Sequence, residues 1–158
     1  GNILEPRNSG KKIICQLVND KAIKWGGGVA RKIAKRFPDA EKCYSEQVTQ
    51  IPQSNRLGRV IFSEAEDDLI IASLIGQEGF GPSLFPRIRY AELHTCLQQV
   101  ADHASSVGAS IHMPKIGTGS ARGDWSTIEE MLDEVMVRAG LFVTVYDLPP
   151  KRAQLELL

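Results

Sequence analysis

Charge imbalance is the first thing this sequence lacks. Lys plus Arg and Asp plus Glu both number 19, so the formal net charge is zero. That excludes the electrostatic footprint of a protein that grips duplex nucleic acid or an anionic membrane surface. A small anion held by backbone amides stays compatible with it. Long apolar runs are also missing: none approaches the ~18 residues of a membrane span, and the opening residues do not read as a signal peptide. Cysteine is scarce. Cys15, Cys43 and Cys96 are odd in number and show no metal-ligand spacing, so they read as reduced thiols of an intracellular protein, cytoplasmic or nuclear. Neither a metal nor a cofactor is expected, there is no internal repeat or low-complexity segment, and the chain is expected to act as a monomer.

What the sequence does have is length enough for one domain and two glycine-rich stretches. At 158 residues a single core can bury roughly two thirds of the unfolded surface without staples. The first stretch, Trp25-Gly26-Gly27-Gly28-Val29-Ala30, runs straight into a helix. Val29, Ile33 and Phe37 recur at i, i+4 and i+8, and Arg31, Lys32, Lys35 and Arg36 fill the opposite face. Three consecutive glycines let backbone N–H groups approach a ligand closely. The helix start adds unpaired donors and the positive end of a dipole, which is a ready anion site. A tight turn with no ligand is the alternative reading.

Taken in order, Gly1 to Pro6 reads as the exit from a strand, and a first strand is expected to be missing from the chain. Ile13 to Val18 suits a buried strand of a largely parallel sheet. After the glycine helix, Pro38-Asp39 breaks the run, and Asp39 is expected to cap a second helix through about residue 49. Pro52 to Arg56 reads as a loop. Arg59 to Ser63 and Leu69 to Ile75 read as a hairpin around the acidic turn Glu64 to Asp68. Gln77 to Arg89, with Gly79, Gly81, Pro82 and Pro86, is a long irregular loop of the kind that carries function.

Leu93, Leu97, Val100 and Ala104 mark the apolar face of the next helix, which Gly108 ends, and Ser110 to Pro114 follows as a strand. It leads into the second glycine-rich stretch, Lys115 to Gly123. A last helix is expected from Ser126, capped by a Ser126/Glu129 box, with Ile128, Met131, Leu132, Val135 and Ala139 inward and Gly140 at its end. Leu141 to Tyr146 is the last strand. The alternation of helices and strands predicts a three-layer α/β/α sandwich over residues 1–148, with a mixed, mostly parallel sheet, followed by a tail over 149–158.

Each glycine loop follows a strand and precedes a helix, so both fall at the strands' carboxyl ends, where open α/β sheets bind ligands. Two such loops facing one crevice fit a diphosphate. No G-x-x-x-x-G-K-[ST] is present, and the second loop has one residue too many for G-x-G-x-x-G.

The combined motifs resemble the macrodomain family of ADP-ribose-binding modules. They are Gly1-Asn2-Ile3, Val18-Asn19-Asp20, Trp25 to Ala30, Met113 to Gly119, Trp125 and Val143 to Tyr146, and they cover nearly the whole chain. The two tryptophans favour the branch holding the chromatin-remodeller macrodomain, the terminal ADP-ribose glycohydrolase and the ADP-ribose-1″-phosphate phosphatase. The resemblance implies ADP-ribose, or an ADP-ribosylated protein, as partner. Asn2, beside Ile3, matches the family's first acidic residue, which holds the adenine amino group; an amide accepts that bond without charge assistance. Gly26, Gly27, Gly28 and Val29 would line the distal ribose and one phosphate. Gly117, Thr118, Gly119, Ser120, Ala121 and Arg122 would wrap the diphosphate, and Tyr146 would flank the adenine or else be a core-edge tyrosine.

Asn19 and Asp20 are candidates for the distal ribose hydroxyls, with Asp20 also the candidate base; loop capping is the alternative for both. Trp25 is expected to be a packing lid rather than a stacking platform, and His112 a satisfied core histidine. The family's glycohydrolases use a lysine and an aspartate. Gln77 and Ala121 stand at the matching positions, so that mechanism is expected to be absent. Asp124 sits at a helix start, where capping explains it. The expected function is a reader of ADP-ribose, the alternative a hydrolase acting on ADP-ribose derivatives.

Overall fold

Strand β1, Lys12–Asn19, runs through the middle of the molecule because both its faces are apolar. Ile13 and Cys15 point into one hydrophobic cluster, Ile14 and Val18 into the other. The computed structural model describes residues 1–147, so the expected boundary at residue 148 and the expected tail lie outside the described residues. Residues 1–11 form turns and bends, and all five described strands follow them.

The elements after β1 are α1 (Gly28–Arg36), α2 (Pro38–Val48), a 3₁₀ turn (Gln53–Asn55), β2 (Val60–Glu66) and β3 (Leu69–Gln77). Then come α3 (Tyr90–Val107), β4 (Ser110–Pro114), α4 (Trp125–Leu132), a π-helical turn (Asp133–Val137) and β5 (Val143–Tyr146). The sheet order is β2-β3-β1-β4-β5. Three of its pairings are parallel and only the β2–β3 hairpin is antiparallel. Helices α1 and α2 cover one face, burying Ile33, Ala40, Tyr44 and Val48. Helices α3 and α4 cover the other through Leu93, Leu97, Val100, Ile128 and Leu132. This is a three-layer α/β/α sandwich. Each fully buried Leu, Ile or Val contributes ~1.5–3 kcal/mol.

Several local expectations need correction. Asp39 does not cap α2: Phe37 holds that position, Pro38 takes the first helical place that its fixed φ suits, and Asp39 lies in the first turn. Residues 53–55 within the expected loop form a 3₁₀ turn. The hairpin turn is tighter than expected, because β2 continues to Glu66 and Asp68 alone takes a left-handed φ of 62°. The cap of α4 is Asp124, not Ser126, so no Ser126/Glu129 box forms. Asp124 Oδ2 accepts from Thr127 N at 3.0 Å and from the Ser126 hydroxyl at 2.7 Å. Ala139 is exposed, whereas Met136 is fully buried. The π turn holds more residues than an α turn, and this rotates the inward stripe onto Met136.

Candidate functional site

The four parallel strands end at one edge of the sheet, β1 and β3 at Asn19 and Gln77, β4 and β5 slightly earlier at Pro114 and Tyr146. β1 and β4 are neighbours, yet the helix after β1 lies on one face and the helix after β4 on the other. Such a reversal opens a crevice outside the strands' carboxyl ends. The two glycine loops follow β1 and β4 at that edge of the sheet.

The first loop is held down by its tryptophan. Trp25 is 3% exposed, packs against Tyr44 at 5.4 Å between ring centroids, and donates its backbone N–H to Glu41 Oε2 at 2.9 Å. Its side chain therefore belongs to the core, and its indole N–H finds no acceptor among the described residues. Gly26, Gly27 and Gly28 are left exposed, with Val29 half-buried behind them. Gly27 sits extended at the start of α1, Gly28 takes φ 56°, and neither an acidic residue nor a side-chain cap occupies the first turn. Among the described residues, the N–H groups of Gly28, Val29 and Ala30 have no hydrogen-bond acceptor. These donors and the helix dipole face whatever enters.

The second loop closes on itself. Gly123 N donates to Gly117 O at 2.6 Å and Arg122 N to Gly119 O at 3.0 Å. Gly117, at φ 80°, is needed twice over: a Cβ there would stand 2.7 Å from Ile88 Cδ1 and 2.9 Å from Ile128 Cδ1. Gly119, by contrast, has nothing within 4 Å of that point. The N–H groups of Gly119, Ser120 and Ala121 have no acceptor among the described residues. Thr118 is exposed, its hydroxyl bonded to Lys115 O at 2.7 Å. Ala121 is buried, and its carbonyl accepts from Arg87 N and Ile88 N. Arg122 takes φ 56° and reaches Ser83 O at 2.8 Å.

The third wall is the segment between β3 and α3, which the sequence flagged only as an irregular loop. A bulge after Val18 pairs Asn19 with Gln77 and lets this segment turn away. Its Gly79 peptide is held from both sides: Asp20 Oδ1 accepts from Gly79 N at 2.8 Å, and Gln77 Nε2 donates to Gly79 O at 3.0 Å. Arg87 braces it from within, donating to the carbonyls of Glu78, Gly81 and Pro82. Phe80, Leu84 and Phe85 stand exposed on it. The clustered Gly79, Gly81 and Pro82 were the signal; the role of Arg87 had none.

Asn19 Oδ1 accepts from Lys21 N and Ala22 N, which is the loop-capping alternative. Asn2 is exposed and its Oδ1 accepts from Leu4 N at 3.0 Å. Ile3 is buried in the cluster that Tyr146 borders. Tyr146 ends β5 beside Pro114, and a Cβ on Gly1 would touch its ring at 3.3 Å. Its hydroxyl lies 2.8 Å from His112 Nδ1. Burial pushes the Tyr146 phenol up, and burial together with the Lys12 ammonium holds His112 below its ordinary value. Among the described residues, no three His, Cys, Asp or Glu side chains gather as a metal site, and no helix is long and apolar enough to cross a membrane.

A groove of about 960 Å³ opens elsewhere, between α4 and β5. Glu129, Glu130 and Glu134 line it, which disfavours an anion, and neither glycine loop reaches it except at Lys115.

A mixed five-stranded sheet with glycine loops flanking its switch point defines a three-layer α/β module. The sequence profile of the Macro domain family matches residues 18–132, and the chain belongs to that family. It is 29% identical to a Saccharomyces cerevisiae protein named ADP-ribose 1″-phosphate phosphatase, over 94% of this chain and 96% of the relative. The fold superposes on a macrodomain protein from Streptomyces coelicolor with a TM-score of 0.79, at 33% identity and 94% and 96% coverage. A protein of unknown function from Bacteroides thetaiotaomicron gives 0.86 at 35% identity, covering 94% of each chain.

Proposed function

We propose that the chain binds ADP-ribose, free or carried on a protein, in the crevice between the two glycine loops, and acts as a reader of that group. The observation that carries this reading is the two sets of free N–H donors, Gly28 to Ala30 and Gly119 to Ala121, on adjacent strand ends. Each set suits one phosphate. In this reading the diphosphate lies along the second loop and the distal ribose beside Gly26 to Val29 and Asp20. The adenine lies between Tyr146 and the Asn2-Ile3 turn, with the Asn2 amide oxygen sharing its second lone pair with the amino group.

One observation favours a second reading, hydrolysis of ADP-ribose derivatives: the yeast relative is named ADP-ribose 1″-phosphate phosphatase. Asp20 is the acidic side chain assigned to the distal ribose, and one of its oxygens is already engaged by Gly79 N. That favours holding over chemistry. Calorimetry tests the binding. ADP-ribose should bind at micromolar strength, as expected of a preformed cleft rich in amide contacts and poor in charge. No heat with ADP-ribose, alongside clear binding of AMP or NAD, would reject the assignment. Phosphate release from ADP-ribose-1″-phosphate separates the two readings.

A further inference from the structure

His112 lies inside the sheet, opposite Ile14 in the β1–β4 register, and is fully buried. An imidazole there is tolerated only when both nitrogens find partners. Both do: Nε2 is 2.8 Å from Ser110 Oγ and Nδ1 is 2.8 Å from the Tyr146 hydroxyl. The Ser110 hydroxyl lies 3.5 Å from the Lys11 carbonyl, so the imidazole is its close partner. Burial favours the neutral imidazole.

The end of this relay at the carboxyl edge of the sheet is the Tyr146 ring. β5 is only four residues long, pairs with β4 alone among the described strands, and leaves Thr144 and Val145 exposed. Such a strand end does little to fix a terminal side chain. What fixes the ring is the hydroxyl bond to His112, with Gly1 and Ile3 beside it and the two rings 5.8 Å apart at 44°.

We infer that His112 is a positioning residue. Backed by Ser110, it holds the Tyr146 ring at the angle at which the ring forms one wall of the adenine subsite, and so sets the preference for a purine at that end. This rests on the assignment of Tyr146 to the adenine in the proposed function.

The test compares ADP-ribose with UDP-ribose, which keeps the diphosphate and riboses but carries a pyrimidine, by calorimetry on the parent, four single variants and the Tyr146→Phe/His112→Phe double variant. Tyr146→Phe keeps the ring and loses its tether; His112→Phe fills the space and removes the polar partner; His112→Asn keeps a polar partner near the Nδ1 position. Tyr146→Phe and His112→Phe should each weaken ADP-ribose about tenfold, a fraction of what a stacked base contributes. UDP-ribose should be nearly unchanged, His112→Asn should recover much of the loss, and the double variant should be no worse than either single one. Equal weakening of both ligands would make His112 merely structural and overturn the inference. So would an unchanged purine preference in the well-folded Tyr146→Phe. The fourth variant, Tyr146→Ala, separates the two levels. If it alone loses the purine preference, the positioning role fails and the subsite stands. If it too leaves ADP-ribose binding intact, the adenine assignment fails and takes the inference with it.

Discussion

The Asp20 carboxylate and the Gly79 amide are joined by a 2.8 Å hydrogen bond across 59 residues of sequence. It ties the end of β1 to the first turn after β3, so the residue assigned to the distal ribose also sets where the third wall of the crevice stands. Asp20→Ala should loosen that wall by removing a charge-assisted bond of about 1.5–3 kcal/mol. Asp20→Asn keeps an acceptor oxygen. Amide hydrogen exchange at Gly79 should therefore speed up clearly in the alanine variant and little in the asparagine one, with ADP-ribose affinity following the same order. Equal loss of affinity in both would show that the negative charge itself is what the ligand needs.

The second glycine loop divides into a position made for ligand and a position made for packing. Gly119 has open space around the point where a side chain would start, so Gly119→Glu should fold normally. Its carboxylate would then lie against the phosphates and abolish binding. Gly117→Ala forces a Cβ to 2.7 Å from Ile88 Cδ1 at φ 80°. It should lower stability by ~1–3 kcal/mol, read as a fall in Tm. A Gly119→Glu chain that binds normally would remove the diphosphate from this loop.

How much of this was legible in the sequence depended on the range of the signal. The 3.6-residue stripe of α3 and the unbroken apolar run of β1 are local patterns, and both elements appear where expected. The sequence offered two caps for α4, a Ser126/Glu129 box because Ser126-Thr127-Ile128-Glu129 spells one, and Asp124; only the second forms. The Asp124 carboxylate two residues earlier accepts from both hydroxyls and Thr127 N, and so takes the role. The inward stripe beyond Leu132 was misread because nothing in Asp133 to Val137 announces a π turn. In the candidate site, the glycine runs marked the two loops whose N–H groups lack acceptors among the described residues. The ties that shape the crevice, Asp20 to Gly79, Arg122 to Ser83 and His112 to Tyr146, span tens of residues and leave no local periodicity.

The buried imidazole gives the stability a pH signature. His112 is held below its ordinary value, so in the window below about 6.5 the unfolded chain binds the proton more readily than the folded one. Stability then rises with pH through that window. The contribution of neutral His112 is fully present above the unfolded value and is lost as pH falls towards the folded one. The Tyr146 phenol beside it, pushed up by burial, stays protonated throughout. Thermal melts between pH 5 and 7.5 should show Tm falling on acidification, and His112→Asn should flatten that slope. A variant with the parent's slope would remove His112 from the effect.

The last expectation concerns turnover. The glycohydrolase branch that this chain resembles relies on a lysine and an aspartate, and Gln77 and Ala121 stand at the matching positions. Both are engaged in packing. Gln77 is 8% exposed with its amide donating to Gly79 O, and Ala121 is 2% exposed with its carbonyl accepting from Arg87 and Ile88. Glutamine forms no adduct with a sugar carbonyl and alanine transfers no proton. Release of ADP-ribose from a glutamate-linked mono-ADP-ribosylated protein should therefore be slow or undetectable, and phosphate release from ADP-ribose-1″-phosphate weak. Asp20 is the one group proposed to act there, so the comparison that decides is parent against Asp20→Ala and Asp20→Asn. Rapid release by the parent would refute the reader assignment. Its loss in both variants would identify the Asp20 carboxylate as the base, whereas loss in the alanine variant alone would return Asp20 to holding the Gly79 wall.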